Sequence, residues 1–535
     1  MANTLNLGNS KWATKNGSLL GYNSENDNFK PLPFTVTRAS ASSRINKLGL
    51  IENVTNNIAT IDYQGNVNGA LLTQPQSTNL ITYPVSFGNS YWTKSGATIE
   101  ADASTAGAEV IVNGDFATDT DWVKGSSWTI GGGLATSNGT SSYLEQSSVL
   151  VVGKTYEITF DLSNYVSGTL WLHSTKYESS SQYTSNGTYT LQIIPKLTGF
   201  YFYSTSFNGS IDNVSVKEVQ GFTSPSADYT TSAYKLVESS ANEQHRLDRS
   251  GLTVSSGADV TCSIFAKKGE RNWIILYEAE SGKGYYFDLV NGVKGTHFIA
   301  APESYSIEAV GSYWKISITS AVPSTSARFI VYNAKQDGEI SYQGDGTSGV
   351  YIYGSQLEQL SYPTSLIYNG VEGSTVTRVA DQVSQTGLSG IINSVEGVLY
   401  SEIAALDNGT STRSLTLSDG TLNNRLTIRF PGADNVIGWL IVTGGVVQNS
   451  LNTTTTNILL QNKVALKWKL NDVALWINGV EVTSDITINV PSTNILNSLR
   501  FDDGSGGSDF YGKTSDLKIY NAILTDSELQ TLTTI

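Results

Sequence analysis

Apolar and polar residues alternate one by one along most of this chain, the period of a strand with one buried face and one wet face. In TYEITFDLS the side chains of Tyr156, Ile158, Phe160 and Leu162 share a face. YWKISITSAV does the same with Trp314, Ile316 and Ile318, and GVYIYGSQLE with Val350 and Ile352. Clusters of Gly, Asn, Asp and Ser separate these runs. In WINGVEV, Asn478-Gly479 can supply the positive φ angles of a two-residue hairpin turn. Short strands broken by frequent turns predict an all-β protein of tandem antiparallel sandwiches or jelly rolls. Helical spacing is confined to LTDSELQTL, where Thr525 and Glu528 stand at capping-box distance and Leu529 and Leu532 share a face. One short C-terminal helix is expected there.

Length changes the picture from one sandwich to several. A chain of 535 residues exceeds a single core, and about three to five domains are expected. Only 15% of residues are charged, whereas Gly (50) and Tyr (28) are abundant, which suits pleated sheet and argues against disorder. The net charge of −14 excludes a basic nucleic-acid face and an affinity for anionic membranes. An acidic, polar surface suits a neutral partner such as a glycan. No run approaches the ~20 apolar residues of a membrane span. The N-terminal MANTLNLGNSKWATKNGSLL has no basic-then-apolar order and does not read as a secretory signal. The lone Cys262 excludes an internal disulfide, and its place in DVTCSIFAKK reads as an inert buried thiol.

Two phrases recur. SYWTKSGATIEADAS from Ser90 and TDWVKGSSWTIGGG from Thr120 both place Trp, one residue, then Lys before a turn and strand. FTVTRASASS at Phe34 is echoed by STVTRVADQVS at Ser374. With few basic residues nearby, Arg38 and Arg378 are each expected to pair with a carboxylate at a module junction.

Three blocks, FTVTRASASSRINKLGLIE, GALLTQPQSTNLITYPVSFGNSYWTKSGATIE and GSQLEQLSYPTSLIYNGVEGSTVTRVAD, together resemble a recurrent architecture of bacteriophage tail-fibre and virion structural proteins. In that pattern YWTKSGATIE is followed closely by a strand such as SPSADYTTSAYKLVES, but here about a hundred residues intervene. The intervening piece opens VIVNGDFATDTDWVKGSSWTI and closes GSIDNVSVKEV, ends that resemble carbohydrate-binding jelly-roll modules. EGVLYSEIAAL, KVALKWKLNDVALWINGVEV and LRFDDGSGGSDFYGKTSDLKIYNAILTDSELQTL are similar to concanavalin A-like, laminin-G-like domains. The resemblance implies an N-terminal attachment or linker segment over 1–82 and a discontinuous jelly roll over 83–107 plus 221–382. A carbohydrate-binding-like jelly roll would be inserted at 108–220, and a concanavalin A-like domain would fill 383–535.

Glycan binding needs exposed rings to stack on sugar faces, with amides and carboxylates beside them. In the inserted module the candidate rings are Trp122, Trp171, Tyr177 and Tyr183, and the competing reading of each is a core side chain. Trp128 in SSWTIGG reads as core, whereas Trp171 and the polar KYESSSQYTSNGTY suit a rim. The carbohydrate-module resemblance implies a structural calcium, matching Asp115 of NGDF and Asp212 of SIDN. Ala117 stands where that family carries a further acid, and solvated turn aspartates are the competing reading. Asp502, Asp503 and Asp509 of RFDDGSGGSD raise the same question. For catalysis the chain offers little. His173, His245 and His297 are scattered, no G-x-S-x-G elbow occurs, and the alternating Glu278 and Glu280 read as a strand end facing water.

The expectation is therefore a virion surface protein, made in the host cytoplasm, that contacts host glycans and is not an enzyme. Virion partners would engage its N-terminal segment, and the resemblance implies a homo-oligomer, with a trimer favoured. Two alternatives remain open at this point: a purely structural decoration protein without ligand, and a secreted bacterial adhesin.

Overall fold

The structure is a computed structural model that describes residues 3–24, 30–100, 106–151, 156–173, 175–177, 180–193, 195–219, 222–227, 233–409, 411–455 and 457–535. Strands dominate, and the ladders between them are antiparallel. The chain divides into two compact units. Asp102–Phe222 is one, and Met1–Ala101 with Thr223–Ile535 is the other.

The larger unit holds two sandwiches with separate cores. In the first, one layer runs Val480–Asp485, Val473–Ile477, Asn462–Lys469, Glu396–Ala405, Gly512–Tyr520, Leu5–Gly8, Ser18–Asn23. The facing layer runs Val446–Thr454, Val436–Thr443, Arg425–Pro431, Thr412–Ser418, Ser498–Arg500, Gln382–Gln385. The strand Lys30–Thr37 serves both, pairing through Lys30–Phe34 with Ser18–Asn23 and through Thr35–Thr37 with Gln382–Gln385. Leu5, Leu19, Phe34, Leu399, Trp439 and Trp468 meet in the core between them.

This arrangement corrects the expected attachment segment over 1–82. Leu5, Leu19, Phe34 and Val36 form apolar faces that bury only inside the C-terminal sandwich, so the early strands are part of it. The Asn478-Gly479 turn appears as expected, with φ angles of 51° and 86° and Ile477 opposite Val480. The helix Asp526–Thr533 carries the expected reciprocal cap between Thr525 and Glu528, and Leu529 is buried beneath it.

The second sandwich is a jelly roll of two six-membered layers. One runs Thr93–Ser95, Asn242–Thr253, Ser326–Ala334, Trp273–Glu278, Lys283–Asp288, Val293–Ile299, with Ser341–Gln343 added alongside Asn242–Thr253. The other runs Ala97–Glu100, Tyr234–Glu238, Gly349–Glu358, Asp259–Lys268, Tyr313–Ala321, Ser304–Val310. Trp92, Leu247, Cys262, Ile316, Phe329 and Ile352 fill the space between. Burial pushes the Cys262 thiol well above its ordinary range, as an unreactive core cysteine requires. Glu278 departs from expectation. It faces inward, fully buried, and its carboxylate accepts the backbone N–H of Ser281 (2.6 Å), Arg328 (2.9 Å) and Glu280 (3.2 Å). Those donors make the buried charge tolerable.

Both echoed arginines are buried. Arg38 forms an ion pair with Asp381 at 2.7 Å and donates to Thr60, Thr55 O and Ser40 O. Asp381 also accepts the Gln74 N–H at 2.9 Å. Arg378 reaches a carboxylate through a relay, not directly: its Nη1 donates to the Thr364 hydroxyl (3.1 Å), which donates to Glu358. Its Nη2 donates to Pro75 O.

Glu238 shows the same device inside the jelly roll. Burial disfavours its charge, but hydrogen bonds from Arg271, Tyr342 and the Asp345 N–H hold its carboxyl below the usual range.

Replacing Arg38 with Ala leaves Asp381 buried without its cation, and is expected to cost roughly 3–5 kcal/mol of stability. Urea unfolding of the full chain measures this, and an unchanged midpoint would remove the pair from the account. For Glu238 the folded pKa is depressed, so its stabilisation is complete above the unfolded carboxyl value of ~4.3 and is lost as pH falls below it. Glu238→Gln is expected to be less stable at pH 7 and to show a shallower decline below pH ~4.3. Thermal melts across that range give both readings.

Candidate ligand-binding face

The smaller unit is built on two long strands, Tyr156–Leu172 and Phe200–Val219, paired along much of their length. The pairing register shifts between Ser163 and Thr169, where Asn164 and Gly168 take positive φ. A Cβ on Gly168 would collide with the Ser206 backbone, so the two bends can nest only with glycine there. Ser142–Gln146 pairs with the first part of Phe200–Val219, and Leu134–Asn138 with its middle. Tyr156, Ile158, Phe160 and Leu162 share the buried face, as their alternation predicts.

Four expected residues occupy different places. Trp122 is 6% exposed, packs on Phe116 and Phe200, and donates its indole N–H to Asn113 O at 3.0 Å. Tyr177 is fully buried, and Tyr183 packs on Phe160 and Tyr189 at 5.0 and 4.6 Å. Burial raises the Tyr183 hydroxyl to about 12. These three are core side chains, not sugar-stacking rings. The polar residues around them suggested a rim, but Trp and Tyr enter a core when their polar tips find partners. Trp128 lies in the core against Phe207, as read from its strand.

Trp171 is different. Its neighbours Leu170 and Leu172 point into the core, which turns Trp171 to the outer face, half-buried. On that face the registers place Tyr143 opposite Tyr203, and Tyr203 opposite Trp171, so three aromatics share one rung across three strands. Tyr143 and Tyr203 are each 42% exposed. One step along, Glu145 stands opposite Tyr201.

Beyond the end of Tyr156–Leu172, His173 packs beside Trp171 and Tyr203, at 5.7 and 6.3 Å between ring centres. Lys176 lies over the Tyr201 ring at 4.4 Å. Together these side chains line a cleft of about 520 Å³ that includes Tyr143, Glu145, His173, Lys176, Tyr201 and Tyr203. Trp171 stands beside the cleft and not in its wall, and its indole N–H is buried without a hydrogen-bond partner among the described residues. Burial raises the Tyr201 hydroxyl above its ordinary value, with Glu145 beside it adding to the effect.

Tyr177 supports this face from below. Its hydroxyl donates to Tyr201 O (3.0 Å) and accepts the Tyr201 N–H (2.7 Å), fixing the strand that carries the rings. The face thus offers stacking rings, one anion, one cation and an imidazole. Such a set can bind a polar ring with apolar C–H faces.

Asp115 and Asp212, the residues expected to hold calcium, each accept a hydrogen bond from a nearby backbone N–H. Asp115 is exposed and accepts the Ala117 N–H at 3.4 Å, while Asp212 stands opposite Asp161 and accepts the Asn213 N–H at 2.7 Å. Among the described residues no three His, Cys, Asp or Glu side chains converge on a metal position. In the last domain, Asp502 pairs with Arg500, Asp503 caps the Ser505 and Gly507 N–H groups, and Asp509 accepts from Tyr511.

No protein-family model matches the chain, and no curated protein sequence matches it. Among solved structures it is similar to the CBM40 module of the Ruminococcus gnavus IT-sialidase bound to alpha2,3 sialyllactose. The identity is 17%, over 26% of this chain and 83% of that one, with a TM-score of 0.23. It is also similar to the CBM22-1–CBM22-2 tandem of Paenibacillus barcinonensis Xyn10C, at 14% identity over 49% of this chain and all of that one, TM-score 0.18.

Core and face residues are expected to separate in stability measurements. Trp122→Ala should destabilise the smaller unit by roughly 3–5 kcal/mol, whereas Tyr203→Ala should change it by less than about 1 kcal/mol. Denaturant melts of the full chain, followed by tryptophan fluorescence, compare the two.

Proposed function

We propose that this protein binds glycans through the face carrying Tyr143, Trp171, His173, Tyr201 and Tyr203, and that it serves on a bacteriophage particle as a tail fibre, spike or head fibre. The observation that carries the binding role is the outer-face rung of Tyr143, Tyr203 and the half-buried Trp171. Rings held on adjacent strands offer apolar surface for the C–H faces of a sugar. Glu145, His173 and Lys176 stand in the same cleft, where sugar hydroxyls would need partners.

The function is recognition; no bond is made or broken. The virion assignment rests on the resemblance of three sequence blocks to tail-fibre and virion structural proteins, and an acidic, weakly charged composition is consistent with it. In that setting several copies, in a trimer or larger assembly, would act together. Avidity then multiplies weak single-site binding by ~10²–10⁴-fold.

The test is binding of labelled full-length protein to intact cells of candidate hosts. Saturable, strain-restricted binding is expected, falling roughly 10-fold or more in Tyr143→Ala/Tyr203→Ala while the melting temperature holds. A calcium chelator should leave binding unchanged. Failure of the folded protein to bind any host or glycan would favour a purely structural role instead.

A further inference from the structure

A second cavity, of about 310 Å³, lies in the larger unit between the outer side of the jelly-roll layer and the C-terminal sandwich. That volume is at the lower end of the ~300–1,000 Å³ range of small-molecule sites. Lys315 stands on this layer opposite both Phe265 and Glu308. Arg44 and Asp62 enter from the N-terminal part of the chain, and Lys513 from the strand Gly512–Tyr520.

The cations here are incompletely matched. The Lys315 ammonium makes one hydrogen bond, to Thr364 O at 2.6 Å, and has no second partner among the described residues. Arg44 uses Nε on Glu52 at 3.2 Å, leaving both Nη groups without a partner among those residues. Asp62 is already engaged by Lys513 at 3.2 Å and by the Ile45 and Gln64 N–H groups. The wall carries the cations Arg44, Lys315 and Lys513 and the carboxylates Asp62 and Glu308, with Glu52 paired to Arg44, so what it offers an anion is the free N–H groups of Lys315 and Arg44 and not a net charge. Burial holds the Lys315 pKa below that of an ordinary lysine, the sign of an ammonium short of solvation. The Gln74 Nε2 and Gln64 Oε1 groups in the wall also lack partners among the described residues, and Phe265 supplies apolar surface.

We propose that this cavity is a second ligand site, for a singly charged sugar acid of the hexuronate class. The carboxylate sits on Lys315 and Arg44, whose free N–H groups form charge-assisted hydrogen bonds to it. The two glutamine amides and nearby serine hydroxyls take the ring hydroxyls. The site is separate from the aromatic face and stands or falls independently of it.

The experiment is calorimetric titration of the full chain carrying Tyr201→Ala/Tyr203→Ala, which removes the aromatic face from the measurement. Sodium glucuronate, glucose and inorganic phosphate are the probes. Saturable glucuronate binding is expected, with glucose at least about 10-fold weaker and Lys315→Met reducing glucuronate affinity about 10-fold or more. Glu308→Gln, at an exposed position, removes a competing carboxylate and is expected to tighten binding. It keeps the test open should Lys315→Met unfold the protein. Phosphate or glucose binding as tightly as glucuronate overturns the sugar-acid assignment. Absence of glucuronate binding, or unchanged affinity in both Lys315→Met and Glu308→Gln, overturns the site.

Discussion

The antiparallel pairing of Leu5–Gly8 with Asp516–Ile519 is the constraint from which the rest of the larger unit follows. It places the start and end of the chain on neighbouring strands of one sandwich, so everything between is an excursion that must return. Gly8, at φ 96°, is required at this seam because a Cβ there would run into the Ser515 carbonyl. Closing so long a loop is less costly than its length suggests. Each doubling of intervening chain adds only about 0.6 kcal/mol of closure entropy. The jelly roll is one such excursion, leaving the sandwich after Ala70–Thr73 and returning at Gln382–Gln385. The unit Asp102–Phe222 is an excursion within that excursion, departing after Ala97–Glu100 and returning before Tyr234–Glu238.

The points of departure and return are held by polar groups. Arg38 and Asp381 lie 343 residues apart and meet at 2.7 Å, while Arg378 reaches Pro75 O and, through Thr364, Glu358. Hydrophobic contact alone would hold these crossing segments together in many registers. A buried ion pair with every oxygen assigned tolerates few, because any slip leaves a charge unpaired in the interior. Oil fills the cores here, and guanidinium groups set where one module ends and the next begins.

Much of this was legible in the chain itself, for reasons that lie in local physics. Period-2 alternation identified the inward faces of Tyr156–Leu172 and Gly349–Glu358, and turn and cap chemistry placed the Asn478-Gly479 hairpin and the final helix. The partners of Leu5–Gly8 were not legible, because they lie some five hundred residues away and no local pattern names them. The aromatic face was missed for a different reason. In FYFYSTSF both phases of the alternation are aromatic, so hydrophobicity does not decide which turns inward. The structure buries Phe200 and Phe202 and turns Tyr201 and Tyr203 outward. A usable signal was present in that choice: the rings with hydroxyls take the wet side. The same signal misleads for Tyr177, whose hydroxyl is satisfied by backbone and therefore enters the core.

That buried tyrosine bears on how the face would bind. Its hydroxyl holds both the N–H and the carbonyl of Tyr201, so the strand beneath the rings is tied at the point where Tyr201 and Lys176 stack. Tyr143 and Tyr203 are fixed in turn by the cross-strand ladder, and Trp171 by the core leucines on either side. A ring that must first be ordered loses about 0.5–1.5 kcal/mol of affinity to that ordering. Rings carried on paired strands avoid most of this loss, which matters for a ligand gripped by a few stacking contacts. A donor buried without a partner costs the folded protein ~1–3 kcal/mol, a cost the outer-face Trp171 carries beside the cleft. The face is thus rigid where it stacks, which lowers the cost of ordering it around a ligand.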